Sequence, residues 1–253
     1  MVAGVASTAT ADAVSQAREY ERLLDAQAEG GQPGDLRSGL GCDQAPGGGA
    51  EAFDEYVSDP AHPVPHIGWI SPGMTYGYMT ADQRFAATRP DVLVYQTPPL
   101  QEDVTIAGPI GVTLHVSTSG TDSDWIVKVI DVHPDSAADP DPNPANVRMG
   151  GYQQLLRGEP FRGRFRNSRE RPEAFVPNQP ARVEFEMPDV HHTFRRGHRI
   201  MVQVQSTWFP LVDRNPQTFV DIFQATESDF VKATQRVFRS SAMPSHVTFR
   251  VMP

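Results

Sequence analysis

Short stretches of alternating apolar and polar residues recur along the chain from about residue 91 onward. Ile110, Val112, Leu114 and Val116 alternate with Gly111, Thr113, His115 and Ser117. This is the period of two expected of a strand with one buried face. Val183, Phe185 and Met187 alternate with Arg182, Glu184 and Glu186, and Ile200, Val202 and Val204 alternate with Met201, Gln203 and Gln205. Val247, Phe249 and Val251 repeat the pattern near the end, and Val92 to Tyr95 is a shorter apolar run. The stretch from Asp124 to His133 differs. Trp125, Val127 and Val129 fall on one face, while Ile126, Ile130 and Val132 fall on the other with Lys128 among them. Apolar residues on both faces predict a central strand covered on both sides.

No segment after residue 50 carries a long helical period, and neither a βαβ alternation nor a fixed-period repeat is visible. The pattern predicts an all-β fold, a jelly-roll β-sandwich over residues 91–253. Residues 51–90 read as a connecting segment. Pro60, Pro63 and Pro65 keep residues 57–66 extended, and residues 67–90 mix Gly, Tyr, Met and Arg without a period. Residues 1–50 read as an irregular N-terminal segment. Ala13, Ala17, Tyr20 and Leu24 predict one short helix there, with Asp12 at its start and Gly30-Gly31 at its end. Residues 30–50 read as linker.

Composition narrows the function classes. The 23 prolines and 20 glycines suit many strands joined by turns. A formal charge of -9 argues against a nucleic-acid partner. The arginines between residues 157 and 172 alternate with Phe, Gly, Asn and Glu, and read as a solvated strand or loop. One cysteine, Cys42, builds neither a disulfide framework nor a Cys-based zinc site. No apolar run approaches the ~20 residues of a membrane span. Met1 to Ala13 lacks the positive start and apolar centre of a signal peptide, so the compartment stays open.

Candidate chemistry is sparse. A hydrolase nucleophile elbow needs a serine flanked by glycines, as in G-x-S-x-G, because the sharp turn crowds any side chain. Gly4-Val5-Ala6-Ser7 does not meet that spacing, so no catalytic residue is assigned. Asp131, His133 and Asp135 alternate and could share a strand end, and His191, His192 and His198 lie close in sequence. A polar strand rim explains the first three, and no metal or cofactor is expected. The acidic loop of Asp135, Asp139, Asp141 and Asn143 is interrupted by Pro140, Pro142 and Pro144, which oppose wrapping around calcium. Trp69, Tyr76 and Tyr78 cluster in the connecting segment, and Trp208 and Phe209 precede Pro210. Such aromatics serve cores and domain interfaces. Asp213-Arg214-Asn215-Pro216 reads as a corner held by local hydrogen bonds, with docking of another domain as the alternative.

The run Gln203-Val204-Gln205-Ser206-Thr207-Trp208-Phe209-Pro210-Leu211-Val212-Asp213-Arg214-Asn215-Pro216-Gln217, preceded by Gly197-His198-Arg199-Ile200, is specific. It resembles the C-terminal domain of the X-Pro dipeptidyl-peptidase / CocE–NonD serine hydrolases, and most closely the α-amino acid ester hydrolases. Phe53 to Pro60, Asp82 to Phe85, Arg89 to Leu93, Gly120 to Trp125, Lys128 to Val132 and Phe161 to Arg166 fit the same resemblance. It spans roughly residues 51–253. The resemblance implies a galactose-binding-like jelly roll that follows an α/β-hydrolase domain. That domain would supply the Ser, Asp, His and oxyanion hole, and no counterpart of these occurs here.

The expected function is therefore a non-catalytic accessory domain, partnered by an α/β-hydrolase catalytic domain and with room for homo-oligomer contacts. Trp69, Tyr76, Tyr78, Trp208, Asp213 and Arg214 are the candidate domain-interface residues. The first 50 residues do not resemble the family's upstream sequence, which suggests a truncated or frame-broken gene. Two other readings stay open: an independent carbohydrate- or ligand-binding module, and an inactive truncated remnant.

Overall fold

A computed structural model of the chain describes residues 52–240 and 242–252. The helix expected around Ala13 to Leu24 and the linker 30–50 lie outside the described residues. Ten strands follow in chain order: β1 Phe53–Ser58, β2 Leu93–Gln96, β3 Val104–Thr118, β4 Asp124–Val132, β5 Gln153–Arg162, β6 Ala181–Phe194, β7 Arg199–Gln205, β8 Ala233–Ser240, β9 Met243–Pro244 and β10 His246–Thr248. They form two antiparallel sheets. One has six strands along the path β1-β8-β3-β10, with β6 on β3 and β9 on β8; the other has four, ordered β2-β7-β4-β5.

The alternation seen in the sequence places the core between these sheets. Ile110, Val112, Leu114 and Val116 of β3 and Val183, Phe185 and Met187 of β6 point in from one sheet, and all are buried. Trp125, Val127 and Val129 of β4 and Ile200 and Val204 of β7 meet them from the other. Burying each large side chain contributes roughly 1.5–3 kcal/mol, so this layer dominates the stability of the fold. The long strand β3 keeps both its halves in register with β6 through a shift between Gly108 and Ile110. Gly108 takes φ +99°, open to glycine, and Pro109 has no N–H to place in the ladder, so the strand bends there.

The outer face of the four-stranded sheet is also covered. Ile126, Lys128 and Ile130 of β4 are fully buried on that side, as the two-faced pattern predicts. Val64, Ala86 and Val92 close over Val94, Ile130 and Met201 in a second apolar cluster. The covering chain is pinned by backbone bonds from His66 N to Phe209 O (2.9 Å), Phe209 N to Val64 O (2.9 Å) and Gln83 N to Gln153 O (3.0 Å). It contains a 3₁₀ turn, Tyr76–Met79, and a single helical turn, Arg84–Ala87.

Two strands escape the sequence pattern for one physical reason. β1 buries Asp54, Tyr56 and Ser58 while leaving Val57 exposed, and β8 buries Gln235 beside Ala233 and Val237. Their inward faces carry polar groups, most of which find partners inside the fold, although Gln235 Oε1 and Ser240 Oγ have none among the described residues. Asp54 accepts from Tyr95 Oη (3.0 Å) and Arg239 Nε (3.2 Å), and Gln235 Nε2 donates to Gln217 Oε1 (2.5 Å). The arginine-rich stretch, expected as a solvated strand or loop, is β5 in part, and Arg169 and Arg171 are exposed; the departure is Arg164, 8% exposed because it pairs with a buried carboxylate.

Candidate functional site

Three polar or exposed features stand out from the apolar sandwich. The first lies on the covering segment, between its pinned ends. Trp69 (53%), Ile70 (99%), Met74 (64%), Tyr76 (85%) and Met79 (49%) are exposed large hydrophobic side chains within eleven residues. Pro72 and Gly73 keep the stretch irregular, and Thr75 caps the 3₁₀ turn by accepting from Gly77 N (3.2 Å). The Trp69 ring lies so close to Gly77 that a Cβ there would stand 3.3 Å from it. Trp69 and the turn bearing Tyr76 are therefore one surface. Tyr78 turns the other way and meets Trp208 edge-on, with ring centroids 5.7 Å apart.

Trp208 is a correction to the expected interface set. It is 3% exposed and lies inside the fold, beneath Tyr78 and beside the Lys128 ammonium, which stands 4.8 Å from the ring centroid. Lys128 is fully buried, and its Nζ donates to Gln83 Oε1 at 3.1 Å. Among the described residues no carboxylate pairs with it. Burial pushes its amine down to about 7, since a cation without a counter-charge is costly in a low dielectric.

The second feature is a buried charged corner. Asp122 and Asp124 flank the start of β4, and Arg162 and Arg164 come from the end of β5 and the turn after it. Arg164 Nε donates to Asp122 Oδ2 at 2.9 Å, and Arg162 grips Asp124 with two bonds of 3.2 Å. Asn215 Nδ2 bridges Asp122 Oδ2 (3.0 Å) and Asp124 Oδ1 (2.8 Å). Burial raises the Asp124 carboxyl to about 6 against the opposing pull of Arg162 and Asn215.

Asp213 accepts from Arg162 at 2.9 Å, and Arg214 donates to Pro60 O at 3.0 Å. The corner 213–216 is thus held mainly by bonds to distant parts of the chain rather than by the local ones expected. The local exception is Gln217 N, which donates to Asn215 Oδ1 at 2.7 Å. These residues fasten β4, β5 and the covering segment together. The two buried serines nearby, Ser123 and Ser206, face each other at 3.5 Å, and Ser206 meets Tyr56 Oη at 2.8 Å.

The third feature lies at the far end of β4. Asp131 and His133 do share a face there, as their spacing suggests, but Asp135 is exposed and does not join them. His198 takes its place. Sequence spacing alone could not show this, because the antiparallel register of β4 and β7 brings the two segments together.

A two-sheet β-sandwich with an apolar segment exposed over one sheet is the class of fold that the geometry defines. The chain belongs to the family of X-Pro dipeptidyl-peptidase C-terminal non-catalytic domains, whose profile matches residues 13–248. It is 32% identical over 204 residues to the cocaine esterase of Rhodococcus sp. (strain MB1 Bresler), covering 81% of this chain and 33% of that protein. The structure is similar to an aminopeptidase from a marine sediment archaeon, Thaumarchaeota archaeon (TM-score 0.73, 45% identity), over 80% of this chain and 33% of that one. It is also similar to an α-amino acid ester hydrolase (TM-score 0.71, 47% identity), over 79% and 32% of the respective chains. The chain spans about a third of the length of these relatives. The expected sandwich and the expected membership of the CocE–NonD hydrolases both hold.

Proposed function

We propose that this chain is the accessory sandwich of a serine hydrolase that opens ester or amide bonds through an acyl-serine, and that it docks against an α/β-hydrolase domain. The segment between β1 and β2 acts as the docking segment, on a sandwich to which β1 and the strands from β2 onward all belong. No residue of this chain takes part in bond breaking. Trp69 and Tyr76, with Ile70, Met74 and Met79 beside them, form the contact. Tyr78 stiffens the segment from below by packing on Trp208, and Asp213 and Arg214 fix the corner that anchors it.

The observation that carries this reading is the apolar surface itself. Five large hydrophobic side chains are displayed on a segment whose two ends are hydrogen-bonded to the sheet. Large apolar side chains exposed together on one segment mark an interaction surface, and Trp and Tyr are the side chains that most often anchor such contacts.

The test is calorimetric titration of this chain with the separately expressed hydrolase domain of the 47%-identical α-amino acid ester hydrolase. Saturable one-to-one binding is expected. The double variant Trp69→Ala/Tyr76→Ala should lose about 2 kcal/mol or more of that affinity while melting at the parent temperature. An absence of heat at high concentration, or equal binding by the double variant, would overturn the proposal.

A further inference from the structure

We propose that Asp131, His133 and His198 form a binding site for a divalent transition-metal ion of the zinc class, at the end of the sandwich where β4 finishes and β7 begins. The argument starts from register. Val132 pairs with Arg199 and Asp131 with Ile200, so the next step along the ladder sets His133 opposite His198. Asp131, His133 and His198 then fall on one face of the sheet, at the rim of the inter-sheet core. One ligand atom from each lies within 4.8 Å of the others.

The backbone holds this arrangement in place before any ion arrives. His133 N donates to Tyr152 O at 2.8 Å, and His198 is fixed by bonds from its own N to Arg195 O (2.9 Å) and from Leu100 N to its O (2.8 Å). The imidazoles of His133 and His198 lie with centroids 4.5 Å apart, and Tyr152 packs edge-on against the first.

Outer partners also orient the ligands. His192, on β6 of the opposite sheet, binds Asp131 Oδ2 through Nε2 at 2.9 Å, leaving Oδ1 to face His198 Nδ1 at 2.8 Å. An ion would replace the proton now shared between those two atoms. Gln154 Oε1 lies 3.3 Å from His133 Nε2 and steadies that ring. Such second contacts around ligating His and carboxylate groups set their orientation. The Asp131 side chain is 2% exposed and that of His198 13%, so the site is sheltered yet reachable, and water completes the coordination.

The donor set fixes the class of ion. Two imidazoles and one carboxylate suit Zn²⁺, Co²⁺ or Ni²⁺, whereas Ca²⁺ and Mg²⁺ favour oxygen ligands throughout. A bound ion would staple β4 to β7 and, through His192, one sheet to the other. It would do so without taking part in the hydrolase reaction, so this proposal stands or falls independently of the docking surface.

The experiment is titration of the chelator-treated full chain with Zn²⁺ by calorimetry and with Co²⁺ by visible absorption. One ion should bind per chain with a roughly micromolar dissociation constant, and the Co²⁺ bands should have the intensity of a low-coordinate nitrogen–oxygen site. His133→Asn should weaken binding at least tenfold to a hundredfold. That substitution leaves both hydrogen bonds to Asp131 in place, so the metal-free melting temperature should stay near the parent's. His191→Gln, at an exposed neighbouring histidine, should bind as the parent does. The site would be refuted by no saturable binding at about 100 μM Zn²⁺, by a Co²⁺ spectrum like that of the hydrated ion, by unchanged affinity in His133→Asn, or by lost affinity in His191→Gln.

Discussion

On β4, Trp125, Val127 and Val129 meet the opposite sheet, whereas Ile126, Lys128 and Ile130 meet the covering segment. Both faces are fully buried, yet they are built differently. The inner face packs mostly apolar groups against apolar groups, with Trp125 Nε1 unpaired there among the described residues. The outer face mixes Ile126, Ile130 and Met201 with Lys128, Gln203 and Gln205, and several of its polar atoms, including Gln203 Oε1, Gln205 Oε1, Trp208 Nε1 and His66 Nε2, have no partner among the described residues. The inner face supplies stability, and the outer face gives part of it up. Protein interiors punish unpaired polar atoms by about 1–3 kcal/mol each, so the polar outer face of β4 and β7 contributes less than an apolar one of the same area. The segment that covers this face carries the exposed Trp69 and Tyr76.

Breaking the inner face should have the largest effect. Trp125 is 0% exposed and sits in the centre of the main core. Trp125→Ala is expected to destabilise the chain by roughly 3–5 kcal/mol, since it removes transfer energy and leaves a cavity. Denaturant melts followed by circular dichroism would measure this. A loss below about 1 kcal/mol would mean that the inner face does not dominate.

The outer face should respond with the opposite sign. Lys128→Met removes a buried cation and keeps the stem. The unfolded lysine titrates near its ordinary value of 10.5, whereas the folded one titrates at about 7. Between those values the unfolded chain binds the extra proton, so the lysine's contribution to stability rises with pH across that window and is least favourable below pH 7. The variant should therefore be more stable than the parent at pH 6, by roughly 1–3 kcal/mol after the lost bond to Gln83 is deducted. The gain should shrink towards pH 10. Thermal melts at pH 6, 8 and 10 read the trend, and a gain that grows with pH would contradict it.

How far the fold could be read in advance follows the same division. The inner face was legible because apolar side chains every second residue leave an unmistakable trace, as in Ile110 to Val116 and Val183 to Met187. β1 and β8 were illegible because Asp54, Ser58 and Gln235 point inward and Val57 outward. Their polar groups find partners 18 or more residues away, such as Gln217 for Gln235 and Arg239 for Asp54, which no local pattern reveals. Arg162 and Arg164 looked solvated for the same reason, since Asp124 and Asp122 lie 38 and 42 residues away. Of the candidate contact residues, Trp69 and Tyr76 proved exposed. Trp208 proved buried, because the β4–β5 ladder puts Gly158 and Lys128 beneath it. His198 joined Asp131 only through the β4–β7 register, so spacing pointed to Asp135 instead.

The smallest expected effect tests that packing under Trp208. Gly158 pairs directly with Lys128 in the β4–β5 ladder, so any side chain at residue 158 would enter the outer face. An added Cβ would lie 2.7 Å from the Trp208 ring and 3.4 Å from Lys128 Cγ. The ring must move, and it is held by Tyr78 on one edge, so overpacking should cost 1–3 kcal/mol. Loss of glycine's freedom in the unfolded chain returns about 0.4–1 kcal/mol. Gly158→Ala should thus destabilise by about 1 kcal/mol. Trp208→Phe removes the part of the ring that clashes, so in the double variant the penalty of Gly158→Ala should fall to near zero, a coupling that a double-mutant cycle isolates. Additive effects in that cycle would show that Trp208 does not rest on Gly158, and would remove the support on which Tyr78 and the exposed segment above it depend.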